Sequence, residues 1–136
     1  MSSTTTERVV RAYFATVADL ASTEDDLRPL LHDDAVVVEH PNPVTPTGAR
    51  RTTAEVLTGF ASGKALLSEQ SFDVHEVLVA GERAAVRATW RGVVGQDRGS
   101  FAAGTVLTAE MAGFLTVRDE RVVEHETFDC YPPFGS

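Results

Sequence analysis

The sequence predicts an α+β fold: a cone in which a curved antiparallel sheet wraps around three N-terminal helices and encloses an apolar pocket. Two observations predict it. Helical periodicity, interrupted by one short strand run, fills the first half of the chain. The second half reads as long alternating strands joined by tight turns. Strands of that length must twist and curl, and an amphipathic helix across the concave side leaves a hollow beneath it.

Each element follows from local pattern. Thr4-x-x-Glu7 is a capping-box spacing, and Val9, Val10, Tyr13, Phe14, Val17 and Leu20 then recur at helical intervals, predicting a helix over about 6–21. Ser22-Thr23-Glu24-Asp25 restarts a short helix with Leu27, Leu30 and Leu31 on one side. Ala35–Glu39 is the first strand. Pro41, Pro43 and Pro46 then make a crossing segment that cannot join a sheet. Thr52-x-x-Glu55 opens a third helix, to about Leu67, with Val56, Leu57 and Phe60 inward. Four strands follow: Phe72–Ala80, Ala84–Val94, Phe101–Val117 with a bulge near Gly104, and Val122–Cys130. The aromatic, proline-rich tail YPPFGS can lie across an opening.

Size and composition narrow the function. The 136 residues are expected to form one domain, and no apolar run approaches the roughly 18 residues of a membrane span. Cys130 is the single cysteine, so no internal disulfide exists, and with no secretory leader in MSSTTTERVV a cytoplasmic location is expected. Net charge is -8 and the twelve basic residues are scattered, which argues against nucleic acid and anionic lipid. The expected partner is a small neutral molecule or a second copy of the chain. His32, His40, His75 and His125 lack two-histidine metal spacing, and no phosphate loop or dinucleotide fingerprint is present. No metal and no cofactor are expected. Lys64 reads as a solvated helix lysine.

Three strings sit in this element order. They are Arg11-Ala12-Tyr13-Phe14 in the first helix, Asp33-Asp34-Ala35 leading to Val38-Glu39-His40-Pro41, and Arg121-Val122-Val123-Glu124-His125 in the last strand. Together they resemble the nuclear-transport-factor-2-like superfamily, and within it the SnoaL-like polyketide cyclase and ketosteroid isomerase branch. The likeness covers about residues 7–131. It implies a cone-shaped pocket, acid/base chemistry without a cofactor, and homodimers paired through the open sheet face. It also implies that Tyr13 donates to a developing oxyanion. His40 stands where the isomerases carry an aspartate base. Extended without gaps from the last hairpin, the likeness puts Phe114 where the isomerases keep a second, acidic donor, and Thr127 where the epoxide hydrolases keep an aspartate. Both departures disfavour those particular reactions.

His40, Tyr13 and Asp129 are therefore the catalytic candidates. A histidine titrates near neutrality and suits proton transfer; its bland reading is an exposed strand-end residue. Tyr13 is either an oxyanion donor or a core tyrosine bonded to a carbonyl. Period two puts Val123, His125, Thr127 and Asp129 on one face of the last strand, which the likeness turns inward. Asp129 in an apolar cone suits proton transfer, or else caps a turn. Trp90, Phe60, Phe101, Glu110, Met111, Phe114, His125 and Phe134 are the candidate ligand-binding residues, suited to a hydrophobic, ring-containing ligand. Alternation turns Glu39 away from the pocket. Two functions follow: an isomerase, cyclase, dehydratase or hydrolase using His40, Tyr13 and Asp129, or a non-catalytic ligand carrier or dimerisation module.

Overall fold

The computed structural model describes residues 2–134. The elements run α1 (Ser3–Ala18), α2 (Glu24–Leu27), a 3-10 turn (Arg28–Leu30), β1 (Leu31–Glu39), β2 (Ala49–Thr52), α3 (Thr53–Ala65), β3 (Leu67–Ala80), β4 (Arg83–Val94), β5 (Val106–Arg118) and β6 (Arg121–Cys130). The six strands form one open, curved sheet in the order β2-β1-β6-β5-β4-β3. All neighbours are antiparallel except β1 and β6, which run parallel. The helices lie on the concave side, with α1 crossing β3 to β6. The expected fold class is the one observed.

α1 begins earlier than expected. Ser2, not Thr4, caps it by accepting from the Thr5 amide, and the helix ends at Ala18. Thr6 then faces inward, and its buried hydroxyl donates to Gly81 O at 2.7 Å, tying the helix start to the β3–β4 turn. α3 starts where the sequence places it. Thr52 and Glu55 form the expected reciprocal capping box.

The strand boundaries differ in four places. β3 begins at Leu67 rather than Phe72, directly after α3 ends at Ala65. β1 begins at Leu31 rather than Ala35, with an irregularity between Leu31 and Val36 that absorbs the polar His32-Asp33-Asp34. The chain leaving the proline segment forms β2, an unexpected strand, because Gly48 at φ +69 turns Ala49–Thr52 back against β1. β5 begins at Val106, not Phe101. Gly104 adopts φ +91 and donates to Val94 O, so it ends the β4–β5 connection instead of bulging a strand. The β5–β6 turn residues Asp119 and Glu120 both take positive φ, the geometry that matches hairpin twist.

The core lies between α1 and the sheet. Val9, Val10, Tyr13 and Phe14 meet Leu31, Val86, Leu115, Val117 and Val122, all under 5% exposed. No described helix is long and apolar enough to cross a membrane.

Candidate functional site

Strand pairing decides which side chains meet inside the concave face, because directly paired residues share a face. One inward row runs Val37, His125, Leu115, Ala84 across β1, β6, β5 and β4. The next runs Glu39, Thr127, Gly113, Val86, and the one after it runs Asp129, Met111, Ala88. Trp90 follows beside Phe72. This register brings together six of the expected residues on the concave side: Tyr13, Phe60, Trp90, Met111, His125 and Asp129.

It excludes the others. His40 is on the outer face. Its backbone continues β1 by donating to Thr127 O, but its ring stacks on Phe128 at 4.2 Å and its Nε2 donates to Glu126 Oε2 at 2.7 Å. Glu126 and Phe128 both point outward. The placement expected for His40 at the pocket is therefore corrected, and so is that of Glu39, which faces inward. The two residues alternate as expected, but parallel pairing with β6 reverses which one is inside. Glu110 and Phe114 are also outward: Glu110 accepts from the Thr89 hydroxyl, and Phe114 is 41% exposed. Phe101 and Phe134 pack edge-on against each other and line a separate cavity of about 510 Å³ with Pro132 and Pro133. In β6 the inward face is Val122, His125, Thr127 and Asp129. A register shift at Thr116–Val117 puts Val122 in the core and Val123 on the outer groove.

Glu39 and Asp129 are the ionisable pair of the concave face. Burial tends to raise the Glu39 carboxyl, but hydrogen bonds from Asn42, Thr45 and Arg51, with the Arg51 charge, outweigh it and hold it below the usual carboxylate range. Asn42 Nδ2 lies 2.9 Å and Arg51 Nη1 3.1 Å from that carboxylate. Asp129 is shifted the other way. Burial raises it and the Glu39 charge adds to this, against one opposing hydrogen bond from Thr127 at 2.7 Å. Tyr131 stands beside both, its phenol pushed up to about 12 by burial and the two nearby carboxylates. Its ring meets Trp90 edge-on at 6.3 Å. Trp90 is fixed by donating to Gln70 Oε1 at 2.8 Å, while Gln70 Nε2 donates to the last carbonyls of α1.

Deeper in, the Tyr13 hydroxyl and His125 Nδ1 are 2.9 Å apart and buried. Burial holds His125 down at about 4 and raises Tyr13, so both are neutral at neutral pH. Tyr13, Phe60, Val17, Val56, Lys64 and Gln70 line a cavity of about 300 Å³ between α1, α3 and β3. Lys64 is not simply solvated. Its ammonium sits 4.4 Å over the Phe60 ring and donates to Leu20 O.

Asn42 and Tyr131 are the site residues that the sequence gives no role, Thr127 is expected inward without a role of its own, and Glu39 is expected to face away. Glu39 had a usable signal, a carboxylate inside a valine strand, which must be paired if it faces in. Asn42 is buried and bonds the amides of Val44 and Thr45, so it shapes the proline segment around Glu39.

The family model for SnoaL-like domains matches residues 10–125. The chain belongs to the SnoaL-like domain family. No curated protein sequence matches it closely enough to count as a relative. Among solved structures, this SnoaL-like chain superposes on IdmH of Streptomyces antibioticus, described as a candidate polyketide cyclase. The TM-score is 0.73, with 23% identity over 91% of each chain. An LEH-like epoxide hydrolase of M. tuberculosis matches with TM-score 0.73 and 16% identity over 96% of this chain and 84% of that one. A protein of ketosteroid isomerase-like fold from Catenulispora acidiphila, solved with trimethylamine, matches with TM-score 0.71 and 20% identity over 90% and 85%. At these identities the likeness is one of fold.

Proposed function

We propose that this SnoaL-like domain is a cofactor-free acid/base enzyme acting on a neutral, ring-containing substrate, with Asp129 as the proton-transfer group. One observation carries the reading: two neighbouring carboxyl groups whose surroundings push their proton affinities in opposite directions. Glu39 stays ionised, and burial, with the Glu39 charge adding to it, keeps Asp129 willing to hold a proton. Tyr131 remains a phenol and can donate to oxygen. Trp90 gives a flat wall beside it. His40 has no place in this scheme, because its imidazole is engaged on the opposite face.

Proton exchange tests the reading without a known reaction. The protein is incubated with 2-tetralone in D2O, and exchange of its α-protons is followed by NMR. Catalysed exchange that is lost in Asp129→Asn supports it. Exchange absent in the wild type, or unchanged in the variant, overturns it.

A carrier is the second reading. It is favoured by the cavity of about 300 Å³, whose lining is mostly apolar and does not include Asp129. A carrier would return its ligand chemically unchanged and without deuterium. In either case we propose that two copies pair through the outer face, where Phe114, Phe128 and Leu78 are 41%, 39% and 59% exposed.

A further inference from the structure

The cavity of about 300 Å³ between α1, α3 and β3 reaches the surface, since its lining includes the exposed Gly59 and Gly63. Its walls are apolar: Val17, Leu27, Val56, Phe60 and Leu67. Three polar side chains complete the lining, and two of them are engaged. The Tyr13 hydroxyl is bonded to His125 Nδ1. Gln70 accepts from Trp90 and donates to the carbonyls of Val17 and Ala18. Lys64 is different. It is half-buried, and its ammonium donates to Leu20 O at 3.3 Å and lies 4.4 Å from the centre of the Phe60 ring. Among the described residues, its remaining N–H donors meet no protein acceptor and no carboxylate pairs with it.

A partly desolvated cation is stabilised by an opposite charge. Acids near the cavity walls in sequence are committed elsewhere: Asp19 accepts from the Ala21 amide, Glu24 pairs with Arg28, and Glu69 pairs with Arg91. The place of a counter-ion at Lys64 is therefore open. Lys64 lies in the last turn of α3, where a cation suits the helix dipole, but a fully solvated side chain would serve that purpose equally. Its stem instead folds back over Phe60 at the rim of the cavity. The net charge of -8 repels an anion at a distance. Salt screens that repulsion beyond about 10 Å, whereas contact with the ammonium is local.

We propose that this cavity binds a small amphipathic carboxylate, with its ring or short chain against the apolar walls and its anionic head on Lys64. The volume is at the small end of ligand cavities, which suits one ring or a short chain. The proposal deepens the carrier reading by naming the ligand. It does not depend on the acid/base reading, because neither Asp129 nor Glu39 lines the cavity. Gly63 keeps the cavity open. A Cβ there would meet no atom within 4 Å, and its φ is not positive, so neither packing nor backbone demands glycine.

Calorimetry with 3-phenylpropanoate and its neutral analogue 3-phenylpropanamide tests this, and the ratio of the two affinities is the readout. The wild type is expected to prefer the carboxylate about tenfold, as a charge-assisted bond allows. The chain has one lysine, so its 13Cε resonance reports on Lys64 alone and is expected to move with the carboxylate. Lys64→Met should abolish the preference and Lys64→Arg should keep it. Gly63→Leu fills the cavity with a better helix former and should weaken both ligands at least tenfold without lowering the melting temperature. No preference for the carboxylate, an unmoved 13Cε resonance, a preference that survives Lys64→Met, or undiminished binding in Gly63→Leu would each overturn the proposal. Equal binding of the two ligands, with both weakened in Gly63→Leu, removes the anion site and leaves the carrier reading standing. No binding of either ligand removes both.

Discussion

Glu39 and Asp129 face the same hollow from β1 and β6, and the protein holds the proton of one loosely and the proton of the other tightly. Their substitutions should therefore move stability in opposite directions at neutral pH. Glu39 is the lowered group, so its stabilising effect is present above its unfolded pKa and is lost as pH falls through the folded one. Glu39→Gln should cost about 1–2 kcal/mol at neutral pH, since it weakens the bonds from Asn42 and Arg51. Asp129 is the raised group, so its carboxylate opposes folding once pH exceeds the ordinary aspartate range. Asp129→Asn should be slightly more stable than the wild type at neutral pH and lose that margin in acid. Urea unfolding at several pH values reads both; the same sign for the two variants would contradict the assignment.

A second pH effect belongs to His125. Its folded pKa is lowered to about 4, against about 6.5 unfolded. Above the unfolded value neither state is protonated and the neutral ring costs nothing. Between about 6.5 and 4 the unfolded chain takes up a proton that the native state refuses, so stability falls. One such group gives at most about 3 kcal/mol across that window. His125→Gln should flatten the slope there, which a matched pair of unfolding series would show.

Gly48 sets the corner that returns the chain to β1. At φ +69, with Glu39 O only 2.7 Å from where a Cβ would sit, it has neither the conformational freedom nor the space for a side chain. Gly48→Ala should cost about 2 kcal/mol or more, from left-handed strain plus displacement of the proline segment. Thermal melting measures the loss. It should be accompanied by weaker binding of any concave-face ligand, because Asn42 would move with the loop.

The outer face gives a separate expectation. Phe114 and Phe128 meet edge-on at 6.2 Å, and the His40 ring covers Phe128. Phe114→Glu would put a charge in the middle of that patch. If two copies pair there, sedimentation should show the variant shifted to monomer while its melting temperature stays close to that of the wild type. A monomeric wild type at micromolar concentration would end the idea.

Much of the fold was legible in the sequence. Capping at Thr52, helical spacing in Val9–Val17 and the four long strands all survive, because local propensity and burial agree there. β2 was hidden because Ala49–Thr52 has no strand composition and exists only through pairing with β1. The site was legible in part. Alternation correctly separates Glu39 from His40. It cannot say which is inside, since Val36, Val37 and Val38 make both faces of β1 equally apolar. Only the pairing of Glu39 with Thr127 decides it. Glu110 and Phe114 were lost to the same ambiguity in β5.

The parallel contact between β1 and β6 has a consequence for how the protein is made. Glu39 is synthesised long before Asp129, and the two meet only when β6 docks beside β1. Contacts that distant in sequence are slow to form, because the intervening loop must be ordered first. On the ribosome, the helices and first strand must wait with an incomplete apolar face until the last strand emerges. Chemistry at the concave face would thus switch on only once β6 has been made, and a product truncated before β6 would carry the helices without an assembled site.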